Sequence, residues 1–298
     1  MDITLLGPQR RVAGARAAVA ELIPDGSVAT INAGWRERET DTDELDAVLG
    51  GRMVNLELYR RWHQLTEDDP SYAEAEHRLT NRLEELRTAY QLRLRHEKAA
   101  VRAVAQRVAD SPIRAAALAD AVAGVRALDA WHLSGSTELR AAFYAEVRLE
   151  ERASIGEHRR EIARLVDASA GMVITGGHVG VLLHLLHVFG LPAVIRPPVI
   201  TWSAGAMALS PRVVLFGDYA PDGHHDAEFY AAGLGLYQQG VPFPHARRRL
   251  RLADPDRRQL LADRLAPYPG LLLDDGVRLD LMDGAELPAG AVVLAAAS

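Results

Sequence analysis

The strongest constraint on the fold lies in residues 168–298, where short apolar runs alternate with helical ones and small or turn-forming residues mark each switch. GMVITGG (171–177) reads as a strand entering a glycine turn, and HVGVLLHLLHVFG (178–190) as an apolar helix closed by Gly190. PPVITWSAGAMALS (197–210) reads as a strand, a turn and a helix start, and RVVLFGD (212–218) as another strand. Beyond a loop come GLGLYQQGVPFPHARRRL (233–250), a helix near 254–266, and late strands in GLLLDDGVRLDLMDG (270–284) and AGAVVLAAA (289–297). Parallel strands can be joined only by crossovers, so this alternation predicts an α/β fold with a doubly wound, mainly parallel sheet. SVATINAG (27–34) extends the pattern to the N-terminal region as a strand ending at Gly34. The segment MVNLELY (53–59) fits a second strand or a helix start.

The stretch between is of another kind. Residues 60–167 are rich in Ala, Arg, Glu and Leu, poor in glycine, and carry no strong strand signal. Leu79, Leu83, Leu86, Tyr90, Leu94, Val101, Val104 and Val108 recur at helical spacing. Ser71 and Glu74 have the spacing of a capping box, and Ser111-Pro112 that of a helix restart. LSGST (133–137) is expected to break the second helix, with a third from about Thr137 to Val166. The predicted organisation is an α/β core of residues 1–59 and 168–298 with an all-helical insertion at 60–167, packed outside the sheet as a lid or an interface. The insertion offers a surface for a homo-oligomer.

Composition removes several chemistries. The 298 residues include no cysteine, which excludes disulfides, thiolate metal sites and cysteine nucleophiles. The net charge of −6 does not favour nucleic acid. Lys98 is the only lysine, so a Schiff-base or Ser–Lys mechanism has one candidate, and its charged helical surroundings predict a solvated surface role. No apolar run approaches a membrane span, and MDITLLGPQRR does not read as a signal peptide, so a cytoplasmic protein without membrane partners is expected.

Within this frame Ser203 is the best candidate for chemistry. Small residues (Ala204, Gly205, Ala206) follow it at a strand-to-helix turn, which would lift its hydroxyl above the sheet edge; the same residue also suits a helix cap. In TGGHVG (175–180), paired glycines between a strand and a helix let backbone N–H groups approach a ligand and hold an oxyanion. His245 follows VPFP, and Asp218 ends RVVLFGD; both lie downstream of the serine. His224, His225, Asp226 and Glu228 have ligand chemistry, but neighbours in one loop rarely converge on one ion, and no metal is expected. Asp226 and Glu228 are alternative acids. His184 and His187 read as buried, hydrogen-bonded residues of an apolar helix. The run Arg247, Arg248, Arg249 and Arg251 reads as a solvated surface, with an acidic substrate group as the other possibility.

Taken in order, strand–GG–helix, a strand into WSAGA, an aspartate after a strand, and GLGL followed by Pro-His resemble the dipeptidase E/cyanophycinase family of serine peptidases. INAGWRERE (31–39) resembles the early strand and loop of that family, and the likeness is best over residues 171–280. The resemblance implies a class I glutamine amidotransferase-like, flavodoxin-like three-layer fold with serine at the elbow. It implies Ser203 as nucleophile, His245 as general base, Asp218 as the orienting acid, and N–H groups of Gly177 and Ala204 at the oxyanion, with Gly176 and His178 beside the substrate. The family's usual asparagine after the paired glycines is His178 here, a departure that bears on substrate binding; His178 is also the rival base, because it lies beside the glycine turn that should face Ser203; the insertion has no family counterpart. The expected activity is hydrolysis of a small peptide or amide through an acyl-enzyme, without a cofactor. A non-catalytic relative that binds through the pocket or the insertion is the alternative. An α/β-hydrolase is disfavoured by Thr201 at the first position of G-x-S-x-G, and a glutamine amidotransferase proper is excluded by the absence of cysteine.

Overall fold

Four segments of four residues, ITLL (3–6), VATI (28–31), GMVI (171–174) and VITW (199–202), form the centre of the sheet, each buried along its whole length. The computed structural model describes residues 2–9, 14–107, 111–217 and 227–294. In its first part β1 (Ile3–Leu6), α1 (Ala15–Leu22), β2 (Val28–Ile31), a 3-10 segment (Ala33–Arg38), α2 (Asp43–Val48) and β3 (Met53–Asn55) follow one another. Four helices come next: α3 (Leu58–Asp68), α4 (Pro70–Ala105), α5 (Pro112–Val147) and α6 (Ala153–Asp167). The chain returns to the sheet through β4 (Gly171–Ile174), α7 (Val179–Val188), α8 (Leu191–Val194), β5 (Val199–Trp202) and α9 (Ala204–Leu209). It closes with β6 (Arg212–Leu215), β7 (Glu228–Ala232), β8 (Val241–Pro244), α10 (Ala246–Arg249), α11 (Pro255–Leu265), β9 (Gly270–Leu273), β10 (Arg278–Leu281) and β11 (Val293–Leu294).

The main sheet has the order β10–β1–β5–β4–β2–β3, parallel throughout except for β10 at the edge. Side chains alternate between its faces. On one face Val173, Ile200 and Trp202 pack with Ala15, Ala18 and Val19 of α1; on the other Met172, Ile174 and Val199 pack with Leu182, Leu186 and Phe189 around α7. Each fully buried Leu, Ile or Val contributes roughly 1.5–3 kcal/mol, so these two apolar layers, and not strand propensity, hold such short strands together. Of the later strands β10 alone joins this sheet; among the described residues β8, β9 and β11 form a second sheet, and β6 pairs with β7. β1, not foreseen in the sequence, lies between β5 and β10.

Among the described residues, positions 58–170 contain no strand. α4 and α5 form a long antiparallel hairpin, and α5 runs straight through LSGST. A Cβ placed on Gly135 would lie 3.1 Å from Leu86 Cδ2, so this glycine lets α4 approach and does not end a helix. Thr137 returns its hydroxyl to the Leu133 carbonyl at 2.8 Å, keeping the segment helical. α4 is capped by Asp69, whose carboxylate accepts from the Tyr72 N–H at 3.0 Å with Pro70 in the first turn, so the cap lies two residues before the expected Ser71. Ser111 caps α5 as expected, accepting from the Arg114 N–H at 3.2 Å. Lys98 is 5% exposed, not solvated, because it shares the inward face of α4 with Leu94 and Val101.

Two ion-pair clusters join the hairpin to the later strands and α11. Arg264 makes a bidentate contact to Asp129, both bonds 2.8 Å long, and Tyr90 donates to the same carboxylate at 2.7 Å. Arg87 and Gln91 hold Glu228, with Arg87 Nε at 2.6 Å. No helix among the described residues is long and apolar enough to cross a membrane.

Candidate active site

Strand register places three turns along one edge of the main sheet. Ile31 lies beside Ile174, and Ile174 beside Thr201, so β2, β4 and β5 end together. In parallel sheets this carboxyl edge is where ligands bind. The residues that follow are Asn32–Arg36, Thr175–His178 and Ser203.

Ser203 has φ 51° and ψ −122°, a conformation that costs a non-glycine residue energy and that no regular element requires. Its side chain caps nothing in α9, which leaves the hydroxyl available for chemistry. The neighbouring turn is built to admit it. A Cβ on Gly176 would lie 2.9 Å from Ser203 Cβ, 3.5 Å from its Oγ and 3.8 Å from the Ala204 nitrogen, so only glycine fits there. Gly177 has φ +115°, and a Cβ there would lie 2.2 Å from the Gly34 carbonyl oxygen. The Gly34 carbonyl accepts the His178 N–H at 2.7 Å, which fastens the two turns together. The N–H groups of Gly177 and Ala204 find no acceptor among the described residues.

His178 has a defined job. Its Nδ1 accepts the Val181 N–H at 3.1 Å and caps α7, so the neutral ring carries its proton on Nε2. Burial, and then the charge of Arg36, hold its pKa below the ordinary imidazole value. A ring in this state donates from Nε2 and has no lone pair there to take a serine proton, which argues against His178 as the base although it stands in the turn that touches Ser203. His245 stands at φ 58° directly after β8, its N–H bonded to the Leu273 carbonyl at 2.9 Å. β8 packs against α9, the helix that begins after Ser203. Asp218, His224, His225 and Asp226 lie outside the described residues. Glu228 is committed to Arg87 and Gln91, which withdraws it as an alternative acid. Arg247, in the basic run, is 80% exposed and faces Asp274 at 3.5 Å.

Several residues at the site were not singled out from sequence. Arg36 has φ 56° and ψ −124°, nearly the torsions of Ser203, and lines a cavity of 410 Å³ between the helices and α7. Its loop is held by Glu39, whose carboxylate accepts the N–H groups of Tyr59 at 3.0 Å and Arg60 at 2.9 Å. Asn32, fully buried, leaves its Oδ1 without a hydrogen bond. Polar residues straight after a buried strand were the available signal for both. His184 lines the same cavity and meets Glu76 at 2.7 Å, the hydrogen-bonded role expected of it.

No family model matches the chain, and no curated protein does. Among solved structures it is similar to a peptidase from an acI-B1 Actinobacterium, at 13% identity and a TM-score of 0.45, with 95% of this chain and 84% of that chain covered. At that distance the site is read from its own residues.

Proposed function

We propose that the chain is a serine hydrolase that cleaves a small peptide or amide, on a class I glutamine amidotransferase-like fold in which residues 60–167 are an insertion. The observation that carries the reading is the backbone of Ser203: a strained, non-capping serine at a strand-to-helix turn, pressed against a glycine that has no room for a Cβ. Such strain persists where surrounding structure enforces it and function uses it.

In this mechanism Ser203 Oγ attacks the scissile carbonyl carbon while His245 takes the hydroxyl proton. The carbonyl oxygen becomes an oxyanion and accepts from the N–H groups of Gly177 and Ala204, which have no competing acceptor among the described residues. Asp218 orients the imidazole and stabilises its cation. The protonated imidazole then gives its proton to the leaving nitrogen, the C–N bond breaks, and water, deprotonated by the same imidazole, releases the acyl group from Ser203. In this reading His178, with its proton on Nε2, donates to the substrate.

A fluorophosphonate probe tests this, because it phosphonylates only an activated serine. The wild-type chain should be labelled at Ser203 and Ser203→Ala should not. His245→Ala should lose labelling by roughly the 10²–10⁴-fold that a positioned acid–base group supplies. A wild-type chain that stays unlabelled would leave the pocket as a binding site without chemistry.

A further inference from the structure

α4 supplies one wall of the cavity beside the elbow, and that wall carries oxygens the proposed hydrolysis does not use. Glu76, Thr80 and Glu84 stand four residues apart, so one helix face carries all three, and all three line the cavity. Glu84 is exposed and marks the solvent end of the row; Glu76, 8% exposed, is its inner end.

Glu76 is held by one oxygen only. The Trp62 Nε1–H at 3.3 Å, the Tyr72 hydroxyl and His184 Nε2 at 2.7 Å all meet its Oε1. Oε2 accepts from none of the described residues and is not closed off from solvent, so it opens on the cavity that Glu76 lines. The group is an ionised carboxylate: burial raises its pKa, but the hydrogen bonds and charge of His184 with the donors Tyr72 and Trp62 outweigh burial and hold it below the ordinary value. A charge set this deep is unfavourable until its remaining lone pairs meet donors. Among the described residues no arginine of the cavity wall forms an ion pair with it. Arg87 is bound to Glu228, Arg36 faces Glu37 at 3.6 Å, and the charge of Arg140 acts on Tyr144 and His187.

We infer that this cavity takes a primary ammonium group, hydrogen-bonded to Glu76 Oε2 and to the Thr80 hydroxyl. An ammonium carries three donors, no acceptor and the compensating positive charge. A guanidinium fits less well, because its fork needs both oxygens of a carboxylate and Oε1 is already occupied. Two ligands have this chemistry, the free N-terminus of a short peptide and a lysine-type side chain. From His178, in the turn that touches Ser203, to His184 on Glu76, α7 rises by about 9 Å. At 3.3–3.6 Å per extended residue this is the span of roughly two or three residues. Cleavage at that distance from the ammonium rests on the serine hydrolase reading; binding of the ammonium does not.

The test separates the two. Calorimetric titration of Ser203→Ala, which cannot turn a peptide over, compares trialanine amide, its N-acetyl form, and N-acetyl-alanyl-lysyl-alanine amide. Trialanine amide should bind on the order of tenfold more tightly than its acetyl form, the scale of one charged hydrogen bond. An equal advantage confined to the acetylated lysyl peptide would name the side chain as the source of the ammonium. Glu76→Gln keeps an oxygen for Tyr72, Trp62 and His184, and it should bring the favoured peptide to the level of acetyl-trialanine amide. Thr80→Val should reduce the advantage in a chain whose thermal melt is unchanged. The peptide comparison needs no variant at Glu76, so it decides the matter even where Glu76→Gln fails to fold. Equal binding of all three peptides, binding by none, or an advantage that survives Glu76→Gln in a folded chain would each overturn the inference. Loss of the hydrolase reading would show instead as an unlabelled Ser203 in a chain that still prefers the ammonium.

Discussion

At the scale of single residues the site is defined by what cannot be there. Gly176 is the most demanding position, because a Cβ would lie 2.9 Å from that of Ser203. Gly176→Ala should displace the serine by several tenths of an ångström and slow fluorophosphonate labelling by roughly 10–100-fold, the range that small misplacements of a reacting group produce. His178 should behave differently. His178→Ala removes a cap and should lower stability by about 1 kcal/mol in chemical denaturation, while labelling of Ser203 persists. Loss of labelling in that variant, with labelling retained in His245→Ala, would move the base to His178. The serine and its glycines were legible in sequence because small residues between a strand and a helix have few structural uses. Arg36 was not legible, because in a chain with so many arginines only its torsions separate it from the rest.

At the scale of elements, Ser111-Pro112 and Gly190 were readable because their local chemistry suffices to start or stop a helix. LSGST was misread because its glycine answers a distant contact, Leu86 on the partner helix, which no local signal records. Gly135→Val therefore should not break α5. It should push α4 and α5 apart and lower stability by 1–3 kcal/mol, the usual range for overpacking, with helix content by circular dichroism nearly unchanged. β1 went unread for a related reason: four apolar residues near the start of a chain carry too little periodicity, and only pairing with β5 and β10 fixes them as a strand. The assignment of later strands to a second sheet is likewise a matter of pairing.

At the scale of the whole molecule, buried charge and buried imidazole set its tolerance to mutation and to acid. Asp129→Ala leaves Arg264, its side chain 2% exposed, without its carboxylate and should cost about 3–5 kcal/mol in urea denaturation. His187 gives a pH dependence of known sign. Its pKa is depressed in the folded chain to about 4, by burial first, whereas the unfolded value is about 6.5. Between those values the unfolded chain binds the extra proton, so stability is fully present above about 6.5 and falls as pH drops towards 4. Because the ring is only half-buried, a loss of about 2 kcal/mol is expected over that window, and His187→Leu should remove most of it in urea melts at pH 7 and pH 4.5. The Arg87–Glu228 pair also fastens α4 of the hairpin to β7, and Arg87 is itself part of the wall of the 410 Å³ cavity. A room of that size admits a few residues of loose chain and never a folded domain. On the serine hydrolase proposal, such a site would select by admission: intact neighbours would be safe from it without any inhibitor, and only fragments that other cleavages had already released would become its prey.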